Sequence, residues 1–311
     1  MFRKLFALVA VLALLVAACS DDAGSDTRQP TLTTTSTSEA SPTDGSCDNS
    51  DDCEAATTTT TEAPDDGFPV TVEAPNGAVT IEAKPDRIVS LSPTSTEVLF
   101  AIGAGDQVEA VDSLSNFPGS APVDANLSAF TPSIEAIAAY DPDLVFLSFD
   151  PNGDIVPGLE TLGIPVILHG TAIDLSDAYS QWEQTGAATG HIAEASALVT
   201  ETQAALDELA GEVPDVAMDM TYYYELDPSY YSATSATFIG GLLAPTGLTN
   251  IADDNDPDGW GYPQLSAEVI IDADPSLILL ADTKCCGQTA ATVAERPGWD
   301  AMGAVAQGNV V

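Results

Sequence analysis

The strongest constraint on the fold is an order of patterns. Short apolar strands alternate with amphipathic helices, give way to one wholly helical stretch over residues 176–211, and then resume. Strands are expected at residues 88–90, 108–111, 144–148 and 166–168, with helices between them. After Pro214 come a strand at 216–224, helices at 237–243 and 266–272, and a strand at 277–280. Such alternation predicts α/β lobes with mostly parallel sheets. The helical stretch should break near Gly186 and Gly190. Its second part, residues 191–210, places Ile192, Ala195, Leu198, Val199, Thr202, Leu206 and Leu209 on one face. A helix of that length is roughly 30 Å long, enough to cross the back of two lobes. A chain of 311 residues allows about two globular units.

Local signals fill in the first lobe. Residues 70–81 alternate around Asn76-Gly77, a hairpin turn signal. Thr94 and Glu97 have capping-box spacing, so a helix should start there and run to Ile102, ended by Gly103 and Gly105. That role suffices to explain Glu97. Ser133 should cap a short helix through Tyr140, and a further helix covers about residues 153–162.

Charge removes several functions. The net charge is −41, so the basic surface that nucleic-acid binding requires is missing. A polybasic lock onto anionic lipid is disfavoured for the same reason. Two histidines, His169 and His191, argue against a histidine-rich metal site, and both are expected to be structural.

The N-terminus addresses the compartment. Arg3 and Lys4 precede an uncharged apolar run over residues 5–18, of signal-peptide length. Val16-Ala17-Ala18-Cys19 resembles the lipobox of bacterial lipoproteins. That resemblance implies cleavage before Cys19, lipidation of its thiol, and an extracytoplasmic body anchored to the cell membrane. The bland alternative is an ordinary signal with a chance cysteine. Residues 19–67 are rich in Thr, Ser, Asp and Pro and read as a disordered tether. Cys47 and Cys53 lie within it and either close a small disulfide loop or stay free.

Three motifs carry a wider resemblance. Pro85-Asp86-Arg87-Ile88-Val89-Ser90-Leu91-Ser92-Pro93-Thr94-Ser95-Thr96-Glu97, with Ile102-Gly103-Ala104-Gly105, is the first. Ser133-Ile134-Glu135-Ala136-Ile137, then Asp141-Pro142-Asp143-Leu144-Val145, is the second. Tyr262-Pro263-Gln264-Leu265-Ser266-Ala267-Glu268, then Asp274-Pro275-Ser276-Leu277-Ile278, is the third. In this order they resemble the iron-chelate and vitamin B12 periplasmic-binding family over about residues 70–311. The resemblance implies two Rossmann-like lobes joined by a single long α-helix, with the ligand cleft between them. It divides the body into an N-terminal α/β lobe (68–175), a helical segment (176–213) and a C-terminal α/β lobe (214–311). It also implies a monomeric binding lipoprotein of an ABC importer, serving a permease and its ATPase and holding no cofactor of its own. Members usually continue past Asn309-Val310-Val311 into a last helix, so a fragment or a trimmed lobe is expected here.

The resemblance also suggests site residues. Glu135 and Glu268 occupy equivalent places in the two lobes, where the family meets arginines of the permease. A plain alternative is that an acid in the first turn of a helix favours the macrodipole. The cleft should be lined by loops at the carboxyl ends of strands. In the N-terminal lobe these supply Ser92, Thr94, Ser95, Asn116, Phe117, Phe130, Phe149 and Asp150; in the C-terminal lobe they supply Tyr230, Tyr231, Trp260 and Tyr262. Loop aromatics can stack on a large chelate, and each can equally be packing. Cys285 and Cys286 are adjacent and either bond to each other or remain free thiols.

From residue 68 on, the only bases are Lys84, Arg87, Lys284 and Arg296. Highly anionic ferric siderophores want clustered bases. The cargo expected is therefore a corrinoid such as cobalamin, or a ferric siderophore of neutral or cationic type. Haem is open too, since a tyrosine can ligate its iron. No G-x-S-x-G, P-loop or H-E-x-x-H occurs, so no enzyme is expected. The competing class is a lipid-anchored chelate receptor or haem-binding protein without a dedicated permease.

Overall fold

The computed structural model describes residues 67–213 and 220–311. The expected signal segment and tether, with Cys19, Cys47 and Cys53, and the start of the strand expected from 216 lie outside these residues.

A hairpin opens the described chain, β1 (Val70–Ala74) against β2 (Gly77–Ile81). The two turn residues are Pro75 and Asn76, one earlier than expected, and Gly77 pairs with Ala74. Gly77 has φ +110°, which a side chain would strain. The shift has a reason. Asn76 donates from Nδ2 to the Val166 carbonyl at 2.9 Å and accepts from the Leu168 N–H at 3.0 Å. Its amide thereby covers an open sheet edge.

That edge belongs to β6 (Val166–Leu168) in a four-stranded parallel sheet with β3 (Ile88–Leu91), β4 (Val108–Val111) and β5 (Leu144–Leu147). The order is β4-β3-β5-β6. All four residues of β3 and of β5 are buried, as expected of a sheet covered on both faces. Ile88 joins one core cluster with Leu99, Phe146 and Ala195, while Val89 joins another with Ile137, Val145 and Leu159.

Helix α1 (Pro93–Ala101) follows β3, and its cap corrects the sequence expectation. Ser92, not Thr94, is the N-cap: its hydroxyl accepts the Ser95 N–H and Pro93 takes the first helical position. Glu97 then lies beyond the first turn, without a capping role, and partial burial raises its pKa. Helices α2 (Ile134–Ala138) and α3 (Ile155–Thr161) complete the lobe.

Helices α4 (Leu175–Thr189) and α5 (Ile192–Gly211) follow as an antiparallel pair. The break falls at Gly190 alone, which is left-handed at φ +75°. Gly186 stays inside α4, where a Cβ would lie 2.4 Å from that of Ala195. Ala195 and Val199 are buried, but Ile192 is 65% exposed, contrary to its expected place on the inner face. It is the first residue of α5, beyond the Gly190 turn that ends α4. Farther along, Gln203, Leu206 and Leu209 line a cavity of about 370 Å³ with Tyr179, Leu242 and Pro245.

The second sheet contains β7 (Thr221–Glu225), β8 (Thr249–Asn250) and β9 (Leu277–Leu280), parallel in the order β8-β7-β9. Tyr222 and Tyr223 face opposite core clusters. Around the sheet lie α6 (Phe238–Leu243), α7 (Ala267–Ala273), α8 (Thr283–Cys286), α9 (Ala290–Ala294) and α10 (Gly303–Gln307). The fold is α/β, with two parallel sheets and the α4–α5 pair between them in sequence.

Candidate functional site

Each sheet reverses its strand order once. In the first sheet the reversal lies between β3 and β5; in the second it lies between β7 and β9. Ligands of open α/β sheets bind outside the carboxyl ends of strands at such a switch point. The loops concerned begin at Ser92 and Ser148 in one sheet and at Leu226 and Ala281 in the other.

The first loop set divides into structural and accessible side chains. Ser92 and Ser95 are buried, at 2% and 3% exposure. Ser92 caps α1, and the Ser95 hydroxyl lies 3.4 Å from His169 Nδ1. Thr94 is the one of the three that is exposed. Asp150 accepts the N–H groups of Ile155 and Val156, so it caps the start of α3. Asn116 is exposed and Phe117 half-buried. Phe130 and Phe149 stand out, at 68% and 49% exposure. A buried residue missed by sequence reasoning organises them: Asp112 accepts from Ser115 and, at 3.3 Å, from the Ala129 N–H. It thereby ties the loop after β4 to the backbone beside Phe130.

The second set centres on an ion pair that the sequence did not disclose. Arg296 donates from Nη1 and Nη2 to both carboxylate oxygens of Glu225, at 2.7 and 2.6 Å. Glu225 is fully buried. Burial pushes its carboxyl pKa up, Arg296 opposes the shift, and the neighbouring Asp282 adds to it. The guanidinium lies 4.5 Å from the Trp299 ring centre and 5.5 Å from that of Tyr230. Tyr230 stacks on Trp299 with centroids 5.6 Å apart and takes φ +72°. Tyr231 and Tyr262 are half-buried, and Trp260 is 67% exposed, edge-on to Tyr262 at 5.7 Å. Cys285 and Cys286 are bonded to each other at the end of α8, and both are exposed.

Glu135 and Glu268 share one local design. Each is the second residue of a short helix, is exposed, and follows a serine cap, Ser133 or Ser266. Each carboxyl pKa is lowered by its own backbone N–H and by the cap hydroxyl. Both therefore hold full negative charge at neutral pH.

His169 is 4% exposed and bonds through Nε2 to Gln184 at 3.0 Å; burial lowers its pKa to about 4. His191 opens α5 without capping it through its side chain. Among the described residues no group of three or more His, Cys, Asp or Glu is placed to hold a metal ion. Nor is any described helix long and apolar enough to cross a membrane.

The periplasmic binding protein family model matches residues 88–311. A cobalamin-binding protein of Halobacterium salinarum is 32% identical over 218 residues, 68% of this chain and 58% of its own length. The match thus spans less than two thirds of that relative. An uncharacterized ABC transporter substrate-binding lipoprotein of Bacillus subtilis is 29% identical over 246 residues, 76% of each chain. Among solved structures, a periplasmic haem-binding protein of Vibrio cholerae superposes with a TM-score of 0.63 at 23% identity, covering 72% of this chain and 88% of its own. It shares the fold. The chain belongs to the periplasmic binding protein family, whose members are binding proteins and not enzymes.

Proposed function

We propose that this chain is the extracytoplasmic, lipid-anchored binding component of an ABC importer, and that its cargo is a corrinoid of cobalamin type. One observation carries the choice of cargo: the carboxyl-end loops of both sheets present exposed aromatic side chains and almost no base. Phe130, Phe149 and Trp260 are exposed there. Lys84 and Arg87 precede β3, at the opposite end of the strand, and Arg87 is engaged by the carbonyls of Tyr140 and Asp141. Arg296 is committed to Glu225. Lys284 remains as the exposed base beside the loops. Such a surface suits a large, near-neutral chelate with apolar faces and repels polyanionic siderophores. The similarity to a cobalamin-binding relative supports the same cargo.

Glu135 and Glu268 present one fixed negative charge in each lobe to a basic permease, and ATP is consumed by the partner. Two exposed carboxylates on capped helices steer and orient docking without burial of charge in the free protein.

Calorimetric titration of the purified chain with cyanocobalamin, ferrioxamine, ferric citrate and haem tests the cargo. Cyanocobalamin should bind at micromolar affinity or better, and Trp260→Ala should weaken it about tenfold, some 1.4 kcal/mol. Preferential binding of ferric citrate would overturn the reading.

A further inference from the structure

We infer that the Cys285–Cys286 disulfide is a redox modification site, opened by an extracytoplasmic dithiol, whose state sets how firmly Arg296 and Tyr230 hold the C-terminal wall of the ligand site. The regulatory part rests on the ligand-binding loops proposed above; the modification itself does not.

The pair lies in the loop after β9, at the switch point of the second sheet, beside the loop after β7 that carries Tyr230. Both cysteines are exposed, so a reductant has access. A bond between adjacent cysteines closes an eight-membered ring that contains the intervening peptide. It therefore fixes the backbone of α8, which has only four residues and is too short to persist unaided.

A continuous set of contacts runs from that turn to Arg296 and Tyr230. The Asp282 carbonyl accepts the N–H of Cys286 at 3.1 Å and that of Gln288 at 3.4 Å. The Gln288 side chain in turn accepts from Arg296 Nη2 at 2.8 Å. Arg296 then grips Glu225 and covers Tyr230 and Trp299. The turn thus holds one of the four groups that contact the guanidinium.

Asp282 supplies a driving force for opening. Asp282 is fully buried, no N–H or hydroxyl reaches its carboxylate oxygens, and the group beside it is the like-charged carboxyl of Glu225. It lies close enough to Glu225 to disfavour a second negative charge there. Buried polar groups without partners are costly. A turn free to unwind lets Asp282 reach water, and Gln288 then leaves Arg296. The covalent ring opposes that movement.

The chemistry balances. A dithiol gives two electrons and two protons, its own sulfurs join as a disulfide, and the Cys285–Cys286 bond becomes two thiols.

The test uses the full chain, oxidised and then treated with dithiothreitol. Iodoacetamide labelling read peptide by peptide separates Cys285 and Cys286 from Cys47 and Cys53. Hydrogen exchange over residues 226–231 and 283–299 should quicken about fivefold or more on reduction. The double variant C285S/C286S should exchange like the reduced protein and ignore dithiothreitol. Where cyanocobalamin binds, its affinity should fall in the reduced form. Labelling of both cysteines before reductant is added overturns the proposal, as does exchange that reduction leaves unchanged. Cyanocobalamin binding to neither form counts against the corrinoid alone, because exchange needs no ligand.

Discussion

Arg296 and Glu225, 71 residues apart, meet in a two-pronged ion pair in which the carboxylate has no exposure to water. The geometry matches the planar guanidinium fork, which lysine cannot reproduce. Removing the cation strands a charge in the core. Arg296→Met should therefore destabilise the fold by about 3–5 kcal/mol, read from urea unfolding at neutral pH. The loss should shrink in acid. Burial raises the Glu225 pKa, so the folded state keeps its proton to higher pH than the unfolded chain does. Stability from that proton is present at low pH and lost as pH rises through the raised value. A variant equally destabilised at both ends of the range would contradict the account. Reversing the partners is a second check: E225Q keeps the shape and should cost less than R296M.

The buried imidazole of His169 predicts the opposite pH response. Its pKa falls from an ordinary 6.5 to about 4. Between those values the unfolded chain binds a proton that the folded chain refuses. The contribution is complete above the unfolded value and fades as pH drops through the window, by about 3 kcal/mol at most. In His169→Asn the thermal midpoint should vary less over that window than in the parent. An unchanged slope would place the titration elsewhere.

Much of this architecture was legible in the sequence because its signals are local. The strands beginning at Ile88, Val108, Leu144, Val166 and Leu277 were marked by apolar runs between turn residues, and the Ser133 cap by position. Two near misses came from competition between adjacent signals. Ser92 and Thr94 both offer cap oxygens, and Pro93 decides for Ser92 because its missing N–H suits the first helical position. Asn76 was legible as a turn residue, yet its side-chain bonds to β6 fix the register. The site was less legible for a physical reason. Ser92, Ser95 and Asp150 satisfy helix starts or the core, which spacing alone does not reveal. Asp112 and the Glu225–Arg296 pair act through contacts distant in sequence.

Gly186 should resist the substitution that helix propensity favours. Alanine gains roughly 1 kcal/mol over glycine in a helix interior. Here its Cβ would lie 2.4 Å from the Ala195 Cβ and 2.9 Å from the His191 carbonyl oxygen. Neither neighbour is a flexible side-chain end, so α4 and α5 must separate. Gly186→Ala should lower stability by about 1–3 kcal/mol on chemical denaturation. A stabilised variant would show that the helix pair has slack.

Glu135 and Glu268 allow docking to be separated from cargo binding. Both carboxylates are exposed, and their contacts are their own helix N-termini and the serine caps. Glu135→Gln and Glu268→Gln should thus change folding stability by only a few tenths of a kcal/mol. Cyanocobalamin affinity should stay the same, since neither residue lies in the strand-end loops. The effect should appear with the permease reconstituted in vesicles: each single variant weakens stimulation of its ATPase, and the double variant abolishes it. Lost charge at a docking rim acts mainly on association, so the defect of the single variants should diminish as salt rises and screens the parent too. Full stimulation by the double variant would remove the docking role and leave only the helix-end one.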